Sequence, residues 1–218
     1  MNAGATPPRY AVNETFHSWQ GEGVHAGRSA FFIRLQGCPV RCPWCDSADT
    51  WREGTGKSAA TQPVPTLVAE ARAAAGAEFV VITGGEPAAQ DLAPLSHALH
   101  EAGRRVHLET CGAFTLRGNF DWVTLSPKRA ATPLPENLAR ADEFKWIIAS
   151  PDDLLHWAGL WERHTPAAPM LKTRPVWLHP EWSRRADATT LATITDWVRT
   201  RGAPFRAGWQ LHKCYGAR

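Results

Sequence analysis

Short apolar runs alternate with helical patterns along this chain, and that alternation limits the fold more than any other feature. Ala30 to Leu35 (AFFIRL) reads as a strand, and Phe79 to Thr83 (FVVIT) as a buried one stopped by Gly84-Gly85. Between them, Thr66 to Ala75 reads as a helix entered through Pro65. Leu92 to Ala102 is expected as a helix ended by Gly103, with a strand following over Arg105 to Thr110. Further strands are expected at Trp122 to Leu125, Glu143 to Ile148 and Val176 to Leu178, with a helix over Asp152 to Trp161. Thr189 to Arg201 is helical up to Gly202, and Gly208 to His212 reads as a last strand. Such repetition builds βαβ units around a parallel sheet, here of about six parallel strands. The crossovers after Thr110 and Leu125 are too short or too polar for full helices. A closed eight-fold barrel takes about 250 residues and at least about 200. This chain has 218, and its first thirty residues and its loops use up much of that length. The expected fold is therefore α/β, an incomplete, open β/α barrel, as a single domain over residues 1–218 with an N-terminal extension at 1–29. Gly54 to Pro65 is the expected mobile loop.

Composition closes off other classes. The formal charge is only +3, from 24 basic and 21 acidic residues, and no run of like charge reads as a nucleic-acid arm. No stretch of 18 apolar residues marks a membrane span, and the first ten residues lack the apolar core of a secretory signal. A cytoplasmic location is expected. The eleven tryptophans point to broad aromatic packing. Five cysteines make an odd number, and three of them lie within eight residues, which suits a metal site better than a disulfide framework.

Those three are Cys38, Cys42 and Cys45, spaced C-x3-C-x2-C directly after the first expected strand. Three thiolates on one compact loop suit the corners of an iron–sulfur cube, and thiolate softness favours iron or zinc over magnesium. The missing fourth cysteine would leave one iron open. Structural zinc, with Cys111, Cys214 or a histidine as fourth ligand, and unmetallated thiols are the alternatives. A second motif, Thr83-Gly84-Gly85-Glu86-Pro87, closes the FVVIT strand at the end where α/β barrels place their sites. Its paired glycines allow close backbone approach to a ligand, and Glu86 can receive an ammonium group.

The two motifs together resemble the radical S-adenosylmethionine (SAM) superfamily. That resemblance implies a [4Fe–4S] cluster on the cysteine loop (residues 38–45) and SAM held by Gly84, Gly85 and Glu86. Before the loop come Glu14 to Gly23 (ETFHSWQGEG) and Phe32 to Cys38 (FIRLQGC), and Asp46-Ser47 follows it. Farther on lie Glu109-Thr110-Cys111-Gly112, Ser126-Pro127-Lys128, Phe144-Lys145-Trp146, Leu178-His179-Pro180 and Gln210-Leu211-His212-Lys213. This set resembles the 7-carboxy-7-deazaguanine synthase family of queuosine-type biosynthesis. The resemblance implies ring contraction of 6-carboxy-5,6,7,8-tetrahydropterin with loss of ammonia. It implies substrate contacts from Gln20, Glu22, Arg34, Gln210 and His212. It places a magnesium ligand at Ser47 and further SAM contacts at Glu109, Ser126 and Lys128. It also implies a homodimer, and an external reductant such as flavodoxin is expected; the weak charge and the lack of an apolar span argue against nucleic acid and membrane as partners.

The residue types suit these roles, and each has a plainer reading. Gln20 can pair with a pterin edge and Glu22 can accept from ring N–H groups, or both can stabilise a glycine turn. Arg34, inside an apolar strand, needs a ligand carboxylate or an internal one. Ser47 can be a turn serine, and His212 an ordinary surface or core histidine. Lys145, in the apolar run EFKWII, calls for a partner inside the fold. Cys111 and His179 depart from the asparagine and glutamine of the family pattern. The rival functions are a glycyl-radical activating enzyme and a zinc-stabilised binding module.

Overall fold

The structure is a computed structural model that describes residues 6–52 and 61–218. It opens on an unexpected strand, β1 (Arg9–Trp19), in which Asn13, Glu14, His17 and Ser18 interrupt any apolar run. β1 lies antiparallel to β2 (Ser29–Leu35), with Phe16 opposite Phe32 and Glu14 opposite Arg34. Residues 54–60 of the expected mobile loop lie outside the described residues. Its far end is ordered instead as β3 (Thr61–Pro63), antiparallel to β1, and the start of α1 (Val64–Ala73). Pro65 sits in the first turn of α1, where a missing N–H costs nothing, and Val64, Leu67 and Ala71 form its buried stripe.

The rest follows the expected alternation. β4 (Phe79–Gly84) precedes α2 (Ala93–Glu101), β5 (Val106–Thr110) and β6 (Trp122–Leu125). A short α3 (Pro135–Arg140) leads to β7 (Glu143–Ile148), α4 (Pro151–His164) and β8 (Val176–Pro180). The chain ends with α5 (Ala188–Arg201), β9 (Phe205–Ala207) and α6 (Leu211–Cys214). Asp187 caps α5 by accepting from Thr190 N at 2.8 Å, and Gly202 stops it with a left-handed φ of 63°. The expected strand over Gly208 to His212 is corrected. β9 ends at Ala207, Gly208 N still donates to Leu178 O at 2.9 Å, and the chain then turns so that Leu211 N reaches Gly21 O at 3.0 Å.

The chain divides into two compact units. The first contains Met1–Trp19, Arg28–Glu109 and Thr115–Trp122; the second contains Gln20–Gly27, Thr110–Phe114 and Val123–Arg218. In the first unit the strands run in the order β3-β1-β2-β4-β5, with β2, β4 and β5 parallel. In the second they run β6-β7-β8-β9, all parallel. Among the described residues, β3 pairs only with β1 and β9 only with β8, so the α/β sheet is open, as expected. Among the described residues, no helix is long and apolar enough to cross a membrane.

Strand alternation sorts the residues. On one face of β7, Phe144, Trp146 and Ile148 join Leu125, Val176 and Leu178 in a core closed by Leu154, Trp157 and Trp161 of α4. Rings meet edge to face there, Phe144 with Trp161 at 4.8 Å and 86°, and Trp146 with Trp161 at 5.9 Å and 78°. The opposite face of β7 carries Glu143 and Lys145. In the first unit, Ala30, Phe32, Phe79 and Val81 form an apolar layer with Phe16 packed against it. The same face continues toward the strand ends as Arg34 and Thr83, paired in register.

Candidate active site

In the first unit, the parallel strands deliver their C-terminal ends together: the cysteine loop after β2, Gly84 to Glu86 after β4, and Glu109 near the end of β5. Backbone bonds fasten the first two. Gly85 N donates to Leu35 O at 3.1 Å and Glu86 N to Gly37 O at 2.9 Å. A side chain at Gly85 would collide with the Gly37 carbonyl and Cys38 Cβ, so only glycine permits this approach. The Glu86 carboxylate accepts from Ala88 N at 3.0 Å and caps the turn Pro87–Ala89.

The cysteines occupy a loop held at both flanks. Gln36, fully buried, accepts from Asn13 Nδ2 at 2.8 Å and donates to the carbonyls of Asp49 (2.8 Å) and Arg52 (2.6 Å). Gly37 N and Cys38 N bond the carbonyls of Thr50 and Trp51 at 2.7 and 3.2 Å. Inside the loop Cys45 N reaches Cys42 O at 3.0 Å, and Arg41 adopts a left-handed φ of 50°, a strained conformation for a side-chain-bearing residue. All three thiols are free of disulfides. Among the described residues, no three His, Cys, Asp or Glu side chains converge on one metal position. The donor set nevertheless suits an iron–sulfur cluster, because three disulfide-free thiols share one short, backbone-anchored loop.

Arg34 has an internal partner. Its Nε donates to Glu14 at 3.2 Å and its Nη1 to Ser47 Oγ at 3.3 Å, while the guanidinium lies 5.6 Å from the Phe16 ring. Burial alone therefore does not demand a ligand at Arg34. The Ser47 hydroxyl donates in turn to Asp46 Oδ1 at 3.3 Å. Glu109 accepts from Thr83 Oγ1 at 3.3 Å.

The second unit assembles its site from side chains far apart in sequence. Lys145 finds its partner in Glu22, which is 8% exposed and also accepts from Gln210 Nε2 at 2.8 Å. Burial alone would raise the Glu22 carboxyl, but the adjacent Lys145 ammonium and the two hydrogen bonds hold it well below the usual carboxylate range. Gln210 Oε1 accepts from Lys213 Nζ at 3.0 Å. Gln20 Oε1 accepts from Glu22 N at 3.2 Å, so Gln20 does brace the glycine turn. The His212 ring lies against the backbone of Gly21. Ser126 accepts from Lys128 Nζ through both Oγ and its carbonyl, each at 2.7 Å. A cavity of about 440 Å³ opens beside Glu22, lined by Gly23, Trp177, Gly208, Trp209 and Leu211.

His179 is the unusual member of this unit. It has no exposed surface, its ring presses on Gly208, and among the described residues neither ring nitrogen has a hydrogen-bond partner. Burial pushes its pKa down to about 4, so the imidazole is neutral at physiological pH. The charge beside Glu22 at neutral pH is therefore that of Lys145. Of the residues without an assigned role, Cys111 is buried, and Cys214 is exposed and accepts from Trp209 Nε1 at 3.0 Å.

Sequence reading missed Gln36 and Glu143. Glu143 carried a usable signal: it stands two residues before Lys145, hence on the same strand face, in an otherwise apolar run.

Residues 32–148 match the radical SAM superfamily. The chain is 43% identical to a 7-carboxy-7-deazaguanine synthase of Synechocystis sp., over 96% of this chain and 94% of that protein. An Escherichia coli protein of the same name is 34% identical, covering 94% of this chain and 97% of its own length. Another, from Flavobacterium psychrophilum, is 36% identical over 92% and 89%. The crystal structure of QueE from Escherichia coli superposes with a TM-score of 0.77 at 32% identity, covering 94% of this chain and 95% of that one.

Proposed function

The chain belongs to the 7-carboxy-7-deazaguanine synthase family of radical SAM proteins, and from that membership we propose how its own residues serve the reaction. The activity is a ring-contracting lyase reaction in queuosine-type deazapurine synthesis. The six-membered pyrazine ring of 6-carboxy-5,6,7,8-tetrahydropterin becomes a pyrrole, ammonia leaves, and 7-carboxy-7-deazaguanine results. A [4Fe–4S] cluster and SAM supply the one-electron chemistry when bound. Cys38, Cys42 and Cys45 would hold the cluster. Gly84, Gly85, Glu86, Glu109, Ser126 and Lys128 would hold SAM. Ser47 would supply a neutral oxygen to a magnesium ion.

The protein's own work is binding, orientation and charge. Glu22, kept ionised by Lys145, offers its remaining lone pairs to ring N–H groups of the pterin. Gln20, Gln210 and His212 complete the recognition of its polar edge. Arg34 presents a planar fork to the substrate carboxylate, with Glu14 holding the guanidinium in place. The proposed partners are an external one-electron donor such as flavodoxin and a second copy of the chain; family membership is what supports both.

One observation carries this reading: a loop of three thiols, none of them in a disulfide, is rooted by backbone bonds against the Gly84–Glu86 turn, whose glycines leave no room for side chains. The test is anaerobic incubation of the iron- and sulfide-loaded protein with SAM, a reductant and 6-carboxy-5,6,7,8-tetrahydropterin. Mass spectrometry should find 7-carboxy-7-deazaguanine and one ammonia per turnover, and a Cys42→Ala protein should lose iron and turnover together. A colourless protein that still turns over, or a loaded one that makes no product, would reject the reading.

A further inference from the structure

Glu143 is a buried acid that neither the motifs nor the ion pair explains. It is 2% exposed, yet its carboxylate collects donors from three separate segments of the second unit. Thr124 Oγ1 of β6 donates to Oε1 at 2.8 Å. Val24 N and Trp177 Nε1 of β8 both donate to Oε2, each at 2.8 Å. Gly23 has a left-handed φ of 70°, and a side chain there would collide with this carboxylate. The backbone of residues 20–27 thus comes down directly onto Glu143. The segment closes on itself through Gly27 N to Gln20 O at 2.8 Å and is fastened on its other side by Leu211 N to Gly21 O at 3.0 Å.

A carboxyl group pulled this far out of water needs its oxygens met by donors, and here three donors meet them. We propose that Glu143 is a positioning residue for substrate recognition. It pins the backbone of residues 20–27 to β6 and β8, so that Gln20 and Glu22 are presented in one geometry, without itself touching the substrate. This rests on reading Gln20 and Glu22 as substrate contacts.

The hydrogen-bond arrangement supplies a discriminating pair of variants. In Glu143→Gln, an amide oxygen in the place of Oε2 still accepts from Val24 and Trp177. The amide nitrogen in the place of Oε1 meets a Thr124 hydroxyl that can rotate to accept. All three contacts survive in the amide. Glu143→Ala removes all three.

Two readouts are taken on the full-length loaded enzyme: hydrogen–deuterium exchange of the 20–27 backbone without substrate, and steady-state kinetics. Glu143→Ala is expected to speed exchange in that segment about tenfold and to raise KM for the tetrahydropterin about tenfold. Its kcat should change less than about threefold and its KM for SAM should stay put, whereas Glu143→Gln should remain within about twofold of the parent in every measure. If the alanine variant does not fold, Trp177→Phe drops one of the three bonds, and about threefold faster exchange is expected. Unchanged exchange in Glu143→Ala, or a Glu143→Gln protein as impaired as it, overturns the inference alone. Faster exchange with KM for the tetrahydropterin unmoved overturns the substrate reading of Gln20 and Glu22, and the inference with it.

Discussion

The two units build their candidate functional surfaces from different materials. In the first, the candidate cofactor site is mostly main chain: Gly85 and Glu86 amides on the carbonyls of Leu35 and Gly37, and loop amides on Thr50 and Trp51. In the second, it is side chains: Glu22 with Lys145 and Gln210, a neutral buried His179, and Glu143 gathering three donors. A surface made of main chain depends on local conformation, so it is specified by short contiguous motifs and is most sensitive at glycine. A surface made of buried charges depends on partners being present, so it is sensitive at every member and forgiving only when both partners change. That difference can be attacked from either side.

The largest effect is expected at Lys145. Replacing it with Met leaves Glu22 buried beside no cation and should cost about 3–5 kcal/mol in urea unfolding. Adding Glu22→Gln should recover more than half of that loss. A Lys145→Met protein within about 1 kcal/mol of the parent would mean the charges do not hold the second unit together.

Next comes acid. Burial depresses His179 from the usual 6.5 to about 4, so the unfolded chain binds the proton first. The associated stability is fully present above pH 6.5 and is lost as pH falls toward 4. Between those limits His179 accounts for about 3 kcal/mol of lost stability. Thermal melts of His179→Gln should show a correspondingly shallower decline from pH 7 to 4.5; an unchanged slope would show that the imidazole is not buried in its neutral form.

The smallest of the three falls in the first unit. Gly85→Ala sets a methyl group against the Gly37 carbonyl and should cost about 2 kcal/mol while weakening SAM binding in equilibrium titration. If alanine at Gly85 leaves SAM affinity intact, the main-chain account of this unit fails.

The same difference explains what could be read ahead of the structure. The cysteine loop and the Gly84-Gly85-Glu86 turn lie on consecutive residues, and the strands that carry them are dense in β-branched and aromatic side chains. β1 carries polar residues at both faces, so no periodicity marks it, and with it went the partner of Arg34, since Glu14 faces Arg34 only through the antiparallel register. Lys145 announced that it needed a partner but not which one, because Glu22 is 123 positions away. Gly208 to His212 looked like a strand from composition. The contacts that bend it away, Gly208 against His179 and Leu211 against Gly21, are tertiary and leave no local trace.

Strand β7 interleaves two incompatible environments at single-residue spacing, Glu143 and Lys145 on one side and Phe144, Trp146 and Ile148 on the other. Inserting or deleting one residue before it would swap the two sets, thrusting an ammonium group among tryptophans and an indole against the Glu22 carboxylate. Its length is accordingly far less negotiable than its spelling: the strand can drift in sequence by conservative exchanges, but a change in the reading of odd and even positions would cost the core and the candidate recognition surface together.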